Sequence, residues 1–237
     1  MQQVPRYLLI GNGRLAFHFR HYFSFLNLNY QTWSRHESHE KLLSQLDFAS
    51  HVLLLISDDA INDFYKKSLK NHNKIFVHFS GSLITDEIHG AHPLFSFTKN
   101  LCEFETYKSI PFIIDDDAPI IQEILPSLPN PHVRLPKALK GKYHALCVLA
   151  GNFSCMLWKK LFYEFQNTFN FSPHLAHPYL KQIFLNIKND PENCLTGPFL
   201  RRDITTIQNN IEALNNDIFQ EIYTSFWNCY QKSEGLK

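Results

Sequence analysis

The sequence predicts an α/β protein: an N-terminal doubly wound parallel sheet followed by an all-helical C-terminal domain. Three observations carry that prediction. Runs of strand character at residues 4–10, 29–33, 51–56 and 75–79 alternate with stretches of helical spacing, the pattern of consecutive βαβ units. The first run leads straight into Gly11-Asn12-Gly13-Arg14-Leu15-Ala16 and then into apolar spacing of helical type. Beyond Pro136 the strand pattern stops, and the last hundred or so residues read as helix.

The run at 4–10 is apolar apart from Pro5 and Arg6, as expected of a parallel strand buried on both faces. In the G-x-G-x-x-A stretch that follows, each small residue has its own task. Gly11 permits the tight turn, Gly13 lets backbone approach a pyrophosphate, and Ala16 keeps helix and strand close. A helix over residues 15–26 would then offer free N–H groups and partial positive charge to phosphates. Asn12, Arg14 and Leu15 complete the loop, and the whole stretch reads as the cofactor cradle of a Rossmann-type domain.

Residues 41–46 and 60–70 read as helices, the second with Asp58 or Asp59 as N-cap. Residues 111–114 read as a further strand and 118–125 as a short helix. Residues 126–136 carry four prolines, so a break or linker is expected there. The domains are therefore 1–135, a dinucleotide-binding domain, and 136–237, a helical domain for substrate or dimerisation. Three helices are expected in the second domain, over 138–169, 178–188 and 203–231.

Composition excludes several classes. The chain has 237 residues, is 44% hydrophobic and carries a formal net charge of +1. Nothing in that balance calls for nucleic acid or a membrane surface. Five cysteines without a C-x-x-C fit reduced thiols in the cytoplasm. Gly11 interrupts the first apolar run too early for a signal segment. The longest apolar stretch, 145–158, contains Gly151, Asn152 and Ser154 and reads as a core helix rather than a membrane span. Four histidine pairs are spaced by three, but no H-E-x-x-H or Cys/His grouping accompanies them, so no metal site is expected.

The tip of the second strand selects the cofactor. An NAD site usually has an acid there to hold the ribose 2′-OH. Here the tip is Trp33-Ser34-Arg35-His36, and the first acid is Glu37. Arg35 can hold a 2′-phosphate in a charge-assisted, bidentate way and Ser34 can donate to it. NADP is therefore expected, with NAD as the alternative. Ser57 and Asp58, and Ser80 and Gly81, stand at carboxyl ends of predicted strands, the rim where ligands bind in open α/β sheets. On the long helix, Lys140, His144, Val148 and Asn152 follow i, i+4 spacing and share one face. His144 is the expected proton donor, Lys140 either the holder of a substrate carboxylate or itself the proton source, and Asn152 the group that orients a carbonyl or the nicotinamide amide. His92 is the second candidate acid.

With these motifs in view, the chain resembles Rossmann-like proteins with a C-terminal helical domain of unknown function. These are distant relatives of the β-hydroxyacid dehydrogenases, ketopantoate reductases and deazaflavin-dependent NADP reductases. The resemblance is carried by Gly11 to Ala16, Trp33-Ser34-Arg35, Ser57 to Ile61, His78-Phe79-Ser80-Gly81 and Gly90 to Leu94. In the second half it is carried by Tyr143-His144-Ala145, Ala150 to Phe153, Leu195-Thr196-Gly197-Pro198, Arg201 and Asp203. Arg202 stands where the family has glycine, and Asn210 where it has histidine. The resemblance implies a nicotinamide cofactor and a homodimer formed through the helical domain. The expected activity is NADP-dependent oxidoreduction of a small carbonyl, imine or hydroxyacid. The competing expectation is a non-catalytic dinucleotide-binding regulator.

Overall fold

The computed structural model describes residues 4–234. The chain divides after Met156 into two compact units.

The first unit is built on a seven-stranded sheet of order β2-β1-β3-β4-β5-β6-β7. Its first strands are β1 (Arg6–Ile10), β2 (Asn29–Trp33), β3 (His51–Leu54) and β4 (Ile75–His78). They pair in parallel, as the alternating pattern predicts. Between them run α1 (Arg14–Phe25), α2 (His39–Phe48) and α3 (Asp58–Phe64), the last continued by a π-helical turn at Tyr65–Leu69. Strand periodicity splits the core into two layers. Tyr7, Leu9 and Leu53 pack with Phe19 and Phe23 of α1 on one face. Leu8, Ile10, Val52 and Leu54 pack with Leu42, Leu46 and Ile61 on the other. Because β1 lies between β2 and β3, the chain reverses its winding direction there, which opens a crevice at the strands' carboxyl ends.

The far half of the sheet departs from expectation. Strand β5 (His89–Pro93) pairs in parallel with β4. After α4 (Phe104–Ser109), strand β6 (Phe112–Asp115) turns antiparallel to β5. After α5 (Ile121–Ile124), β7 (His132–Leu135) runs parallel to β6. The sheet is thus mostly, not wholly, parallel. Residues 126–136 are not a plain linker, since β7 lies inside them. Its flanking prolines, Pro131 and Pro136, stand just outside a four-residue edge strand, where a missing N–H does least harm. The Arg134 side chain holds this edge by donating to the carbonyls of Asp116 (2.9 Å) and Ala118 (2.7 Å).

After β7 the regular structure is helical throughout the described residues. A single turn of 3₁₀-helix at Lys137–Leu139 leads into α6 (Lys140–Val148), a π-helical turn at Leu149–Phe153 and α7 (Ser154–Asn167). By length and composition this 31-residue run is apolar enough to cross a membrane, which the shorter stretch 145–158 did not suggest. Its first turns are instead tied to the sheet. Lys140 is buried in an ion pair with Asp115 of β6, and Tyr143 bonds to His92 of β5.

The second unit comprises most of α7 with α8 (His177–Asn189), α9 (Pro198–Arg201), α10 (Ile204–Ala213) and α11 (Phe219–Glu234). The single helix expected over 203–231 is broken between α10 and α11, where Asn216 adopts a left-handed conformation (φ 66°). Lys160 pairs with both Glu164 and Asp217, and Asn210 donates to the Tyr223 hydroxyl (2.9 Å). Phe199 packs against Tyr223, Trp227 and Tyr230.

Candidate functional site

The glycine loop lines a cavity of about 650 Å³ at the β1/β3 crevice, with Trp33, Ser34, Arg35, His36, Ile56, Ser57 and Phe64 completing its walls. Gly11 is held at φ +132°, and a Cβ there would stand 2.3 Å from the Leu55 carbonyl oxygen. Glycine is therefore required both by conformation and by the approach of β3. Around Gly13 a Cβ would meet nothing within 4 Å, so its bare backbone faces open space in the cavity wall. Ala16 is fully buried between helix and sheet. Arg14 opens α1, whose first turn holds no acid, leaving the helix terminus free to receive an anion. Asn12 accepts from the Arg20 guanidinium (3.0 Å), which fixes its side chain beside the loop. This arrangement fits a dinucleotide.

At the cavity's outer end, Arg35 and His36 are exposed and Ser34 is half-buried. Glu37, the nearest acid, is turned away: it accepts from the Ser34 backbone N–H (2.8 Å) and pairs with Lys41. The Lys41 hydrogen bond holds its carboxyl below the usual range. The indole of Trp33 stacks on Phe64 (centroids 5.5 Å) and gives the cavity an apolar wall.

A second cluster sits at the ends of β4 and β5. The buried hydroxyl of Ser80 donates to Asp58 Oδ2 (2.5 Å) and accepts from the N–H groups of Ser82 and Leu83. Asp58 and Asp59 are first-turn residues of α3 rather than its cap; Ser57 occupies the cap position. Gly81 faces two imidazoles. A Cβ there would stand 2.6 Å from His144 Cδ2 and 3.2 Å from His92 Nε2, so the glycine is what lets the rings approach the loop. The rings of His92 and His144 lie nearly perpendicular, 6.0 Å apart. His92 Nδ1 is hydrogen-bonded to the Tyr143 hydroxyl (2.8 Å). Burial, with the neighbouring His144, holds His92 down at about 4, so it is neutral at pH 7.

Lys140 is not available to a substrate. Its ammonium is 2.6 Å from Asp115 Oδ1, and both residues are almost fully buried. Asp115 Oδ2 also accepts the Gly90 N–H (2.9 Å). A Cβ on Gly90 would collide with both charged groups, at 2.5 and 2.7 Å. The three residues bolt α6 to β5 and β6. Spacing alone could not reveal this, because the partner lies 25 positions away. Nor does Asn152 join the cluster. It lies in the π-helical turn, which inserts about one extra residue and breaks the i, i+4 register; it is exposed. The structure therefore brings together His92, His144, Ser80, Gly81 and Asp58, and the sequence reading missed Tyr143 as a partner of His92. The adjacency of Tyr143 and His144 was visible, but the strand bearing His92 was not.

The segment at 195–210 is explained by local structure. Gly197 has φ +82° and precedes the short α9. Asp203 caps α10, accepting from the Thr206 N–H (3.1 Å). Among the described residues no group of three His, Cys, Asp or Glu is placed to hold a metal ion.

A family model described as a domain of unknown function (DUF2520) matches residues 110–228. That is half of the chain, and the chain belongs to this family. A search of curated proteins returns no significant match. Among solved structures, a candidate NADP oxidoreductase from Bacteroides fragilis superposes with a TM-score of 0.75 at 19% identity. The match covers 96% of this chain and 98% of the other. A protein from Thermotoga maritima gives 0.69 at 23% identity, covering 95% and 97%. The pyrroline carboxylate reductase of Plasmodium falciparum, solved with NADP bound, gives 0.56 at 11% identity, covering 95% and 99%. These likenesses establish a shared Rossmann-like fold.

Proposed function

We propose that this protein is an NADP-dependent oxidoreductase acting on a small carbonyl, imine or hydroxyacid. The observation that carries the reading is the glycine-loop cavity, rimmed by Ser34, Arg35 and His36, with its nearest acid already engaged. Gly11, Gly13 and the first turn of α1 would hold the pyrophosphate, and Arg35 with Ser34 the 2′-phosphate. Bound NADPH would supply hydride chemistry; the chain's own residues must position substrate and handle one proton. His92 and His144, beside Gly81, are the groups suited to the proton. Solved neighbours named as NADP-bound or imine reductases support the class.

The same proposal makes the protein a homodimer through its helical unit, where many large apolar side chains are exposed, among them Tyr179, Phe184, Ile187 and Leu200. It also assigns the protein to the cytoplasm, since all five cysteines are free thiols, suited to a reducing compartment.

Titration with NADPH and NADH, followed by the quenching of tryptophan fluorescence, of which Trp33 lies in the cavity wall, tests the cofactor reading. NADPH should bind more tightly. Arg35→Ala should weaken NADPH by about 1–3 kcal/mol, the scale of a charge-assisted hydrogen bond, and leave NADH nearly unchanged. Gly13→Val should abolish binding of both without unfolding the chain, because the added side chain enters open cavity. Equal affinities for the two cofactors would overturn the preference, and no binding of either would overturn the function. A screen of keto acids and cyclic imines for NADPH oxidation then separates an enzyme from a regulator.

A further inference from the structure

Two histidines face the rim at Gly81, and either could handle the proton. We propose that Tyr143 fixes His92 as its Nε2–H tautomer, making His92 Nε2 the proton donor and Tyr143 the relay behind it. The donor role rests on the reductase reading above; the tautomer does not.

The tautomer follows from the contacts of both groups. The Tyr143 hydroxyl has two neighbours, His92 Nδ1 at 2.8 Å and the side chain of Cys147 one turn further along α6. An imidazole nitrogen is a far better acceptor than a thiol sulfur. Burial raises the phenol's pKa, so the phenol keeps its proton and donates it to Nδ1. A neutral imidazole that accepts at Nδ1 carries its single proton on Nε2. The groups around it are His144, Asp58 and Lys140, and their net effect with burial keeps the ring neutral.

The free edge of the ring is equally defined. Among the described residues Nε2 has no protein hydrogen-bond partner, and it faces the Cα of Gly81, where a Cβ would stand only 3.2 Å away. The ring is half-buried, so Nε2 is open to a ligand at the strand rim while Nδ1 is closed off by Tyr143. His144, by contrast, turns a carbon edge, Cδ2, toward Gly81.

The proton step then balances. As negative charge develops on the substrate oxygen or nitrogen, the His92 Nε2–H bond breaks and the new O–H or N–H bond forms. The Tyr143 proton passes to Nδ1, so the imidazole remains neutral throughout. An alkoxide or amide anion is a much stronger base than a phenolate, which makes the relay favourable. Solvent then reprotonates Nε2 as the Nδ1 proton returns to Tyr143, which restores the starting tautomer. Oxidation runs the same steps in reverse.

The test is two-bond ¹H–¹⁵N correlation of the imidazoles in ¹⁵N-labelled protein at pH 7, with His92→Gln assigning the signals. Wild type should show His92 as a single tautomer, Nδ1 bare and Nε2 protonated. Tyr143→Phe, which keeps the ring, should turn that signal into a tautomer mixture while NADPH affinity stays within about twofold. An Nδ1–H tautomer in wild type, or an unchanged His92 signal in Tyr143→Phe, would overturn the proposal. The wild-type spectrum decides the tautomer even if the variant fails to fold. Failure of wild type to bind NADPH would remove the reductase reading and with it the donor role, leaving the tautomer to be judged on its own signal.

Discussion

The two units of this chain solve the problem of burial in opposite ways. In the first, both faces of the sheet are covered, and two aromatic-rich layers enclose all of β3 and β1 beyond Arg6. In the second, the only fully buried apolar side chains among the described residues are Ala176 and Ile207, while Phe169, Phe171, Tyr179, Phe184 and Phe226 are half exposed or more. Each unit also holds a lysine paired with acid, one carboxylate in the first and two in the second. Lys140 and its partner are sealed from water, whereas Lys160, Glu164 and Asp217 each keep about a quarter of their side-chain surface exposed. A unit with its own core can stand alone. Exposed apolar surface of this extent is characteristic of interaction sites, which makes the proposed dimer a property to test on this unit.

The largest expected effect lies in the sealed ion pair. Asp115→Ala leaves Lys140 charged and buried, and should cost about 3–5 kcal/mol in denaturant unfolding. Removing Asp217 from Lys160 should cost much less, because water screens that cluster and the Phe219 N–H that Asp217 also accepts can turn to solvent. Replacing both sealed partners, Asp115→Leu with Lys140→Met, should recover most of the loss, since apolar groups of similar volume fill the site without a charge. Equal costs for Asp115→Ala and Asp217→Ala would erase the distinction between the units.

The second effect is acid sensitivity of the sheet unit. Burial, with Lys140 and Lys137 nearby, holds His78 at about 3, and His92 stands at about 4. Both lie below the unfolded value of about 6.5, so at lower pH the unfolded chain binds protons that the folded chain refuses. Their contribution is therefore complete above about pH 6.5. It is lost as pH falls toward 4 and 3, by up to about 1.4 kcal/mol per pH unit for each histidine. His78→Leu should flatten that slope in unfolding curves between pH 6 and 4. An unaltered slope would mean that His78 charges freely in the folded protein.

What the sequence made legible follows the same division. The first four strands and the glycine loop could be read because burial on both faces writes continuous apolar runs, and because Gly11 answers a local backbone demand. Strand β5 could not be read, since His89-Gly90-Ala91-His92-Pro93 has no strand-like pattern. Gly90 is dictated by Asp115 and Lys140, which are distant in sequence. Strand β7 was hidden between prolines that an edge tolerates. In the candidate site, His92, Ser80 and Gly81 were proposed from their positions after strands and His144 from its spacing on the long helix. Tyr143 went unassigned because its role depends on β5. Lys140 was misassigned because helical spacing shows which residues share a face, not whether that face meets solvent or a buried carboxylate.

The smallest expected effect tests the exposed unit most directly. If the helical unit is completed by a second copy of the chain, unfolding releases two chains, and the midpoint must rise with protein concentration. A tenfold increase in concentration is worth about 1.4 kcal/mol. Two chains of this length carry an unfolding entropy of roughly 1 kcal/mol/K, from about 2.1 cal/mol/K per residue. The midpoint should therefore climb by only about 1–2 °C per decade, which scanning calorimetry over two decades resolves. Phe184 and Ile187 lie one turn apart on α8 and are both exposed. Replacing both by serine should remove the concentration dependence and halve the mass measured by light scattering. In a monomer, exposed side chains of this kind should change stability by no more than about 0.5 kcal/mol. A wild-type midpoint that ignores concentration, together with a monomeric mass, would show that nothing of this chain's own covers the helical unit.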